Sequence, residues 1–281
     1  MNCNVVRDIS ALRTQVAQWR GAAESVALVP TMGALHAGHI ALVAEATKRA
    51  HRVVLSIFVN PMQFAPTEDF EAYPRSFEAD VQKFAAAGGD LVFAPGAGSM
   101  YGPGFATTVN VAGPATAGLE DKFRPDHFAG VATVVAKLLN QCRPDIALFG
   151  EKDFQQLKVI TRMAEDLDLA TEILGVPTLR EPDGLALSSR NLYLSVAERA
   201  KAPQLYAALA RCAEDLRQGV AFKAALEKAR ATLAAAGFAV DYVEARHADT
   251  LAPVVAMGEA PVRLLAAAKL GKTRLIDNIG V

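Results

Sequence analysis

Two histidines three residues apart, His36 and His39, sit beside Gly33 and Gly38 in the stretch Pro30-Thr-Met-Gly-Ala-Leu-His-Ala-Gly-His39, in a chain with five histidines altogether. An apolar run, residues 25–30, precedes the stretch, and an amphipathic run, residues 40–49, follows it. That order predicts a strand, a glycine-bearing turn and the first turn of a helix, where residues three apart share a face. Unpaired backbone N–H groups and the positive end of the helix dipole gather at such a start and suit phosphate. Imidazoles there donate hydrogen bonds to phosphate oxygens and gain where negative charge grows in a transition state. The glycines let a bulky ligand approach the backbone closely. Two other readings stand beside this one, a pair of surface histidines on an ordinary helix and an H-x-x-H metal pair. The metal pair has no obvious third ligand, and the strand–turn–helix context favours phosphate over the surface pair.

Four more polar clusters lie at element boundaries. Asn60-Pro-Met-Gln63 ends a β-branched run, residues 52–60; its amides suit the hydroxyl and carboxylate groups of a small polar substrate, or cap local backbone. Gly150-Glu-Lys-Asp-Phe-Gln-Gln156 ends another strand pattern and opens a helix. Glu151 and Asp153 fit a helix start, whereas Lys152 is a cation in the wrong turn unless an anion is present. Gln155 and Gln156 add amide donors at the same rim. Leu187-Ser188-Ser189-Arg190-Asn191 offers hydroxyls and a guanidinium fork matched to phosphate, or a turn ending in a salt bridge. His127, in Arg124-Pro-Asp-His-Phe128, either meets a substrate carboxylate or caps a helix.

The elements that must hold these clusters read as alternating strands and helices: strands at residues 52–60, 90–94, 145–150 and 171–176, a further strand candidate at 107–111, and helices at 78–87, 130–142 and 154–167. This is an α/β, Rossmann-like parallel sheet with helices on both faces. After Val176 two Ala-rich helices, residues 195–217 and 222–236, precede strand-like runs at 240–246, 262–268 and 275–281. The expected domains are therefore residues 1–176 and a smaller C-terminal α+β domain, residues 177–281. Lys plus Arg is 29 against Asp plus Glu 30, a net charge of −1, which gives no basic field for nucleic acid. Apolar residues make up 52%, yet no run approaches a membrane span. The three cysteines, Cys3, Cys142 and Cys212, are too scattered for a disulfide framework. The N-terminus does not read as a signal peptide. A cytoplasmic protein with reduced thiols is expected.

The segment His36-Ala-Gly-His39 resembles the H-x-G-H signature of the adenylyl-transferring superfamily that includes class I aminoacyl-tRNA synthetases. The fuller set, P-T-M-G-A-L-H-A-G-H, F-V-N-P-M-Q-F, E-D-F-E-A-Y-P-R, G-E-K-D-F-Q-Q-L and D-G-L-A-L-S-S-R-N, resembles the pantothenate synthetases, the pantoate–β-alanine ligases, across essentially the whole chain. The resemblance implies ATP-dependent joining of pantoate to β-alanine through pantoyl adenylate, with release of pyrophosphate and AMP. It implies an ATP set of Met32, Gly33, Ala34, Leu35, His36, Ala37, Gly38, His39, Gly150, Glu151, Lys152, Asp153, Leu179, Leu187, Ser188, Ser189 and Arg190. Of these, His39, His36, Lys152 and Arg190 would serve catalysis, His39 matching the residue assigned as proton donor and Lys152 meeting the phosphates. Gln63 and Gln156 match residues that grip pantoate, with Asn60 and His127 as further substrate contacts. Mg²⁺ would ride on the triphosphate, with no metal held by protein side chains alone, and a homodimer is implied. Asp126 and Ala65 stand where the family shows glycine, which bears on the local turn and on any β-alanine contact from His127.

Other functions compatible with the same residues are a different H-x-G-H nucleotidyltransferase and a non-catalytic ATP-binding module. The neutral amides Asn60, Gln63 and Gln156 suit a hydroxy acid better than the phosphate ester a nucleotidyltransferase needs. A silent module would bind ATP without releasing pyrophosphate.

Overall fold

The β-branched runs of the first half form one parallel sheet, and Ala-rich helices with three strands form a second assembly. The computed structural model describes residues 3–65, 70–258 and 260–281; Met1 and Asn2 of the N-terminus, and Glu68 and Asp69 of the E-D-F-E-A-Y-P-R motif, lie outside the described residues. Contacts divide the chain into two compact units, Met1–Glu151 with Gln156–Pro177, and Lys152–Gln155 with Thr178–Val281. The passage near residue 177 lies beside the expected boundary at Val176; the grouping of Lys152–Gln155 with the second unit was not foreseen.

Up to Val176 the chain runs β1 (Asn4–Val6), α1 (Ile9–Gly21), β2 (Val26–Thr31), α2 (Ala37–Arg49), β3 (Arg52–Ile57), α3 (Phe77–Ala86), β4 (Leu91–Phe93), α4 (Ala97–Met100), α5 (Glu120–Phe123), α6 (His127–Cys142), β5 (Ile146–Gly150), α7 (Phe154–Asp166) and β6 (Glu172–Val176). All six strands are parallel, in the order β1-β4-β3-β2-β5-β6. Val26, Ala27, Leu28 and Val29 are wholly buried, as a strand covered on both faces requires. Ala27 and Val29 share a core with Leu42, Val43 and Ala46 of α2 and Phe84 of α3. The chain steps outward from β2 through β3 to β4, then returns past β2 to β5. Right-handed crossovers put α2 and α3 on one face and α6 on the other. The reversal makes the carboxyl ends of β2 and β5 the topological switch point, where open α/β sheets bind ligands.

One expected strand does not form. Residues 107–111 carry no strand, and Thr107 and Thr108 are exposed; the Val109 N–H is taken by the Thr133 hydroxyl at 2.9 Å. Threonine and valine favour strands by packing on a half-buried pleat, and no neighbouring strand among the described residues supplies one.

The second unit contains α8 (Val196–Lys201), α9 (Gln204–Arg217), α10 (Phe222–Ala235) and the antiparallel sheet β7 (Ala239–His247), β8 (Val262–Leu270) and β9 (Thr273–Gly280). Leu205, Leu209 and Leu216 of α9 and Ala225 and Leu233 of α10 share a core with Val243, Leu264 and Leu275 of the strands. The helix expected over residues 195–217 is two helices, because Pro203 has no N–H to continue the ladder; Ser195 and Glu198 cap α8 reciprocally. Among the described residues no helix is long and apolar enough to cross a membrane.

Candidate functional site

β2 ends at Thr31, whose hydroxyl donates to the Ser56 carbonyl at 2.7 Å and accepts the Gly33 N–H at 3.2 Å. The chain then turns through two residues of positive φ, Gly33 at 88° and Ala34 at 52°. Glycine adopts that region freely, whereas alanine is strained there by roughly 1–2 kcal/mol, so other contacts must hold Ala34. α2 begins immediately afterwards, with His36 as its N-cap. His36 Nδ1 accepts the Gly38 N–H at 3.1 Å, and His39 Nδ1 accepts the His36 N–H at 3.3 Å. This is a reciprocal capping box built from imidazoles instead of the usual hydroxyl and carboxylate. The two rings lie 4.1 Å apart between centroids. Because each Nδ1 accepts a hydrogen bond, each neutral ring carries its proton on Nε2. The helix start therefore offers two imidazole donors on one face.

Gln63 is held by a second cluster in the same unit. The His127 ring lies 2.9 Å through Nδ1 from the Gln63 carbonyl, which Arg124 Nη2 also approaches at 3.3 Å. His127 Nε2 faces Arg124 Nη1 at 3.1 Å, so Nδ1 is the donor of a neutral ring. Asn60 is 1% exposed, and all four hydrogen-bonding positions of its amide are used. Its NH₂ donates to Gln63 Oε1 and to the Gly130 carbonyl, both at 3.1 Å; its oxygen accepts the Met62 N–H at 3.3 Å and the Tyr101 hydroxyl at 2.7 Å. Burial pushes the Tyr101 phenol up to about 12, so it stays a donor at neutral pH. Asn60 and His127, expected as substrate contacts, both hydrogen-bond to Gln63. Gln63 Nε2 points at Met32 Sδ, 3.2 Å away, which ties this cluster to the turn after β2. One N–H and one oxygen position of the Gln63 amide remain open. Gln156, in the first turn of α7, is half-buried, and its amide has no hydrogen-bond partner among the described residues.

Gly130 explains how α6 comes so near. A Cβ there would stand 2.2 Å from the Met62 carbonyl oxygen and 2.8 Å from the Gln63 nitrogen. Asp126, at φ −93°, precedes α6 in a conformation open to any residue, so this turn does not require glycine. Ala65 adjoins residues outside the described set.

In the second unit, Lys152 is fixed through its backbone. Its carbonyl accepts Asn278 Nδ2 at 2.9 Å, and Asn278 Oδ1 accepts Arg263 Nε at 2.7 Å. The Arg263 guanidinium stacks on Phe154 at 4.2 Å. The Lys152 ammonium has no carboxylate partner among the described residues; Asp153 is exposed and Glu151, in the first unit, half-buried. Gly150 has open space where a Cβ would sit. Leu187 donates its N–H to the Leu179 carbonyl at 3.0 Å, beside an Arg180–Ala186 bridge, so two positions expected to meet ATP lie side by side on a narrow ribbon. Arg180 anchors that ribbon to β9 by a bidentate pair with Asp277 at 2.6 and 2.9 Å. Ser188 caps the turn Ser189–Tyr193 by accepting the Arg190 N–H at 3.2 Å.

Sequence reasoning missed Asp80, Tyr101, Arg124, Gly130 and Asn278. Asp80 had a signal, since it is a polar residue on the same helix face as the apolar Phe77 and Phe84. Gly130 had none, because its need arises from a backbone 67 residues away by number, Gln63. Among the described residues no group of three or more His, Cys, Asp or Glu is arranged to hold a metal ion.

Comparison with known proteins covers the whole chain. The family model described as Pantoate-beta-alanine ligase matches residues 4–280. The pantothenate synthetase of Nitrobacter hamburgensis is 58% identical over 277 residues, covering 99% of this chain and 98% of the relative. Pantothenate synthetase 2 of Bradyrhizobium diazoefficiens matches at the same identity and coverage. Among solved structures, pantothenate synthetase from Thermus thermophilus is similar at TM-score 0.92 and 47% identity, with 98% of each chain covered. The pantoate-β-alanine ligase of Francisella tularensis, complexed with β,γ-ATP and β-alanine, is similar at TM-score 0.77 and 32% identity, with 99% of this chain and 97% of that chain covered.

Proposed function

The chain belongs to the pantoate-β-alanine ligase family, and from that premise we propose how its own residues divide the reaction. The enzyme joins (R)-pantoate to β-alanine with ATP. The pantoate carboxylate attacks the α-phosphorus and expels pyrophosphate; the β-alanine amine then attacks the acyl carbon of pantoyl adenylate and expels AMP. A carboxylate is a poor acyl donor and adenylate a good leaving group, so the protein need only align the reactants and neutralise phosphate charge.

The observation that carries the ATP assignment is the imidazole-capped start of α2 at the carboxyl end of β2. Its donors suit the triphosphate, with Met32 to His39 forming the turn around it. Gly150, Glu151, Lys152, Asp153, Leu179, Leu187, Ser188, Ser189 and Arg190 complete the ATP set. Lys152, whose ammonium has no carboxylate partner among the described residues, supplies one cation for the phosphates, and Arg190 supplies another. His39 serves as a neutral Nε2–H donor to phosphate rather than as an acid that gives up its proton. Gln63 and Gln156 bind pantoate through their open amide positions, and Asn60 and His127 hold Gln63 in place. Mg²⁺ would be carried by the triphosphate with most of its waters. Such an ion neutralises phosphate charge as pyrophosphate leaves. A cytoplasmic homodimer is the proposed form.

The test is pyrophosphate release with ATP, Mg²⁺ and D-pantoate, with and without β-alanine. Release that depends on pantoate, and AMP with pantothenate once β-alanine is added, is expected. Lys152→Ala should slow pantoate-dependent release by about 100-fold or more, the usual scale for one lost transition-state donor, with the far-UV spectrum unchanged. Near-normal turnover in that variant would remove Lys152 from the phosphate set.

A further inference from the structure

Asp80 lies in α3 and is wholly buried, yet it belongs to no substrate-binding set. Its Oδ2 accepts the Ala34 N–H and its Oδ1 the Leu35 N–H, each at 2.8 Å. The Ser76 hydroxyl donates to Oδ1 at 3.1 Å. One helical turn on, Lys83 Nζ donates to the Leu35 carbonyl at 2.7 Å. Residues three apart share a helix face, so one face of α3 takes hold of three backbone groups on two consecutive residues, Ala34 and Leu35, of the turn between β2 and α2. These groups flank Gly33 and Ala34, the two positive-φ residues. A Cβ added at Gly33 would meet Asp80 Oδ2 at 3.2 Å and Ile57 Cγ2 at 3.3 Å, so the clamp leaves no slack beneath the turn.

We propose that Asp80, assisted by Lys83, is a positioning residue for ATP: it holds Ala34 in its strained conformation and so aims the imidazole-capped start of α2 at the triphosphate. The inference rests on the reading of Met32 to His39 as the ATP turn. A buried carboxylate that satisfies two adjacent backbone N–H groups is a costly device for local stability alone, because the same turn with glycine at residue 34 would need no clamp. Its return is orientation, which matters to a site whose donors must meet charge within a few tenths of an ångström.

Asp80→Asn tests this. The amide keeps the shape but turns an NH₂ toward one of the two backbone N–H groups, donor against donor. The KM for ATP should rise about tenfold or more and kcat for adenylation should fall, while the KM for pantoate stays within about twofold. Leu12→Ala, a core truncation in α1, serves as a control for stability loss and should leave both KM values near wild type. If folded Asp80→Asn keeps its ATP KM within about twofold, or if both KM values rise together as stability falls, the clamp has no positioning role. Should Asp80→Asn fail to fold, Lys83→Met carries the same two outcomes. His39→Ala in the same assay separates the levels: loss there with no change in Asp80→Asn overturns the clamp alone, and no change in either overturns the ATP reading with it.

Discussion

His36 and His39 do two jobs with different atoms of one ring. The Nδ1 positions cap a helix, which leaves Nε2 as the protonated nitrogen of each neutral ring. Side-chain length lets the two jobs be separated. Asparagine places an oxygen near Nδ1 and nothing near Nε2; glutamine places its amide near Nε2 and leaves the cap empty. His39→Asn should therefore keep the cap, which is worth about 1 kcal/mol, and hold Tm nearly unchanged. Pantoate-dependent pyrophosphate release should nevertheless fall by about 100-fold. His39→Gln should lose stability while retaining more rate than the asparagine variant. If the asparagine variant turns over like wild type, the far nitrogen has no part in the reaction. Asn60 shows the opposite arrangement, with each amide position committed to protein. Its replacement by alanine would strand buried donors and acceptors at about 1–3 kcal/mol each, so a loss of activity there would report a misplaced Gln63 rather than a lost substrate contact.

At the scale of elements, α6 decides where Gln63 stands. Its first turns press on the backbone at Met62 and Gln63, and only glycine at residue 130 permits that approach. Gly130→Ala must push the two backbones apart. The KM for pantoate should rise about tenfold with the KM for ATP little changed, because the α2 turn is held from α3 on the other side of the sheet. Equal rises in both KM values would refute an effect confined to Gln63. Much of this framework was legible beforehand, since buried β-branched runs and 3.6-residue periodicity locate β2, β3, α6 and α7 within a few residues. The failures share one cause, dependence on partners distant in sequence. Residues 107–111 have strand-like composition but no neighbour to pair with. The Asp80 clamp joins α3 to a turn 45 residues earlier. Asn278 reaches back across 126 residues to Lys152. Motif spacing identifies groups that could meet a ligand; it cannot tell them from groups, such as Asn60, that the fold has already used.

At the scale of the whole molecule, the proposed ATP set makes a prediction about thiol reactivity. Each contains one buried thiol, Cys142 in α6 and Cys212 in the core beneath β7–β9. Burial pushes Cys142 up to about 12 and Cys212 up to about 11. The thiolate is the reactive form, so at pH 8 neither thiol should be alkylated without local or global opening. Cys3, half-buried beside the edge strand β1, is raised to about 11 as well and serves as an internal reference. The sign of the pH dependence follows from the same burial. A thiol whose folded pKa lies above its unfolded value favours the fold fully below about pH 9 and loses that contribution as pH rises through 11 to 12. Labelling should accordingly accelerate in strong base faster than the free-thiol titration alone requires. ATP supplies the sharper comparison. A ligand bound only by the intact site, at about 100 times its Kd, opposes opening by about 2.7 kcal/mol, or roughly a 100-fold slower reaction. Because Met32 to His39 and Cys142 belong to one unit, ATP held by that turn should protect Cys142 and leave Cys3 unchanged. Labelling of Cys142 at the same rate with and without ATP would overturn the assignment of the imidazole-capped turn to ATP.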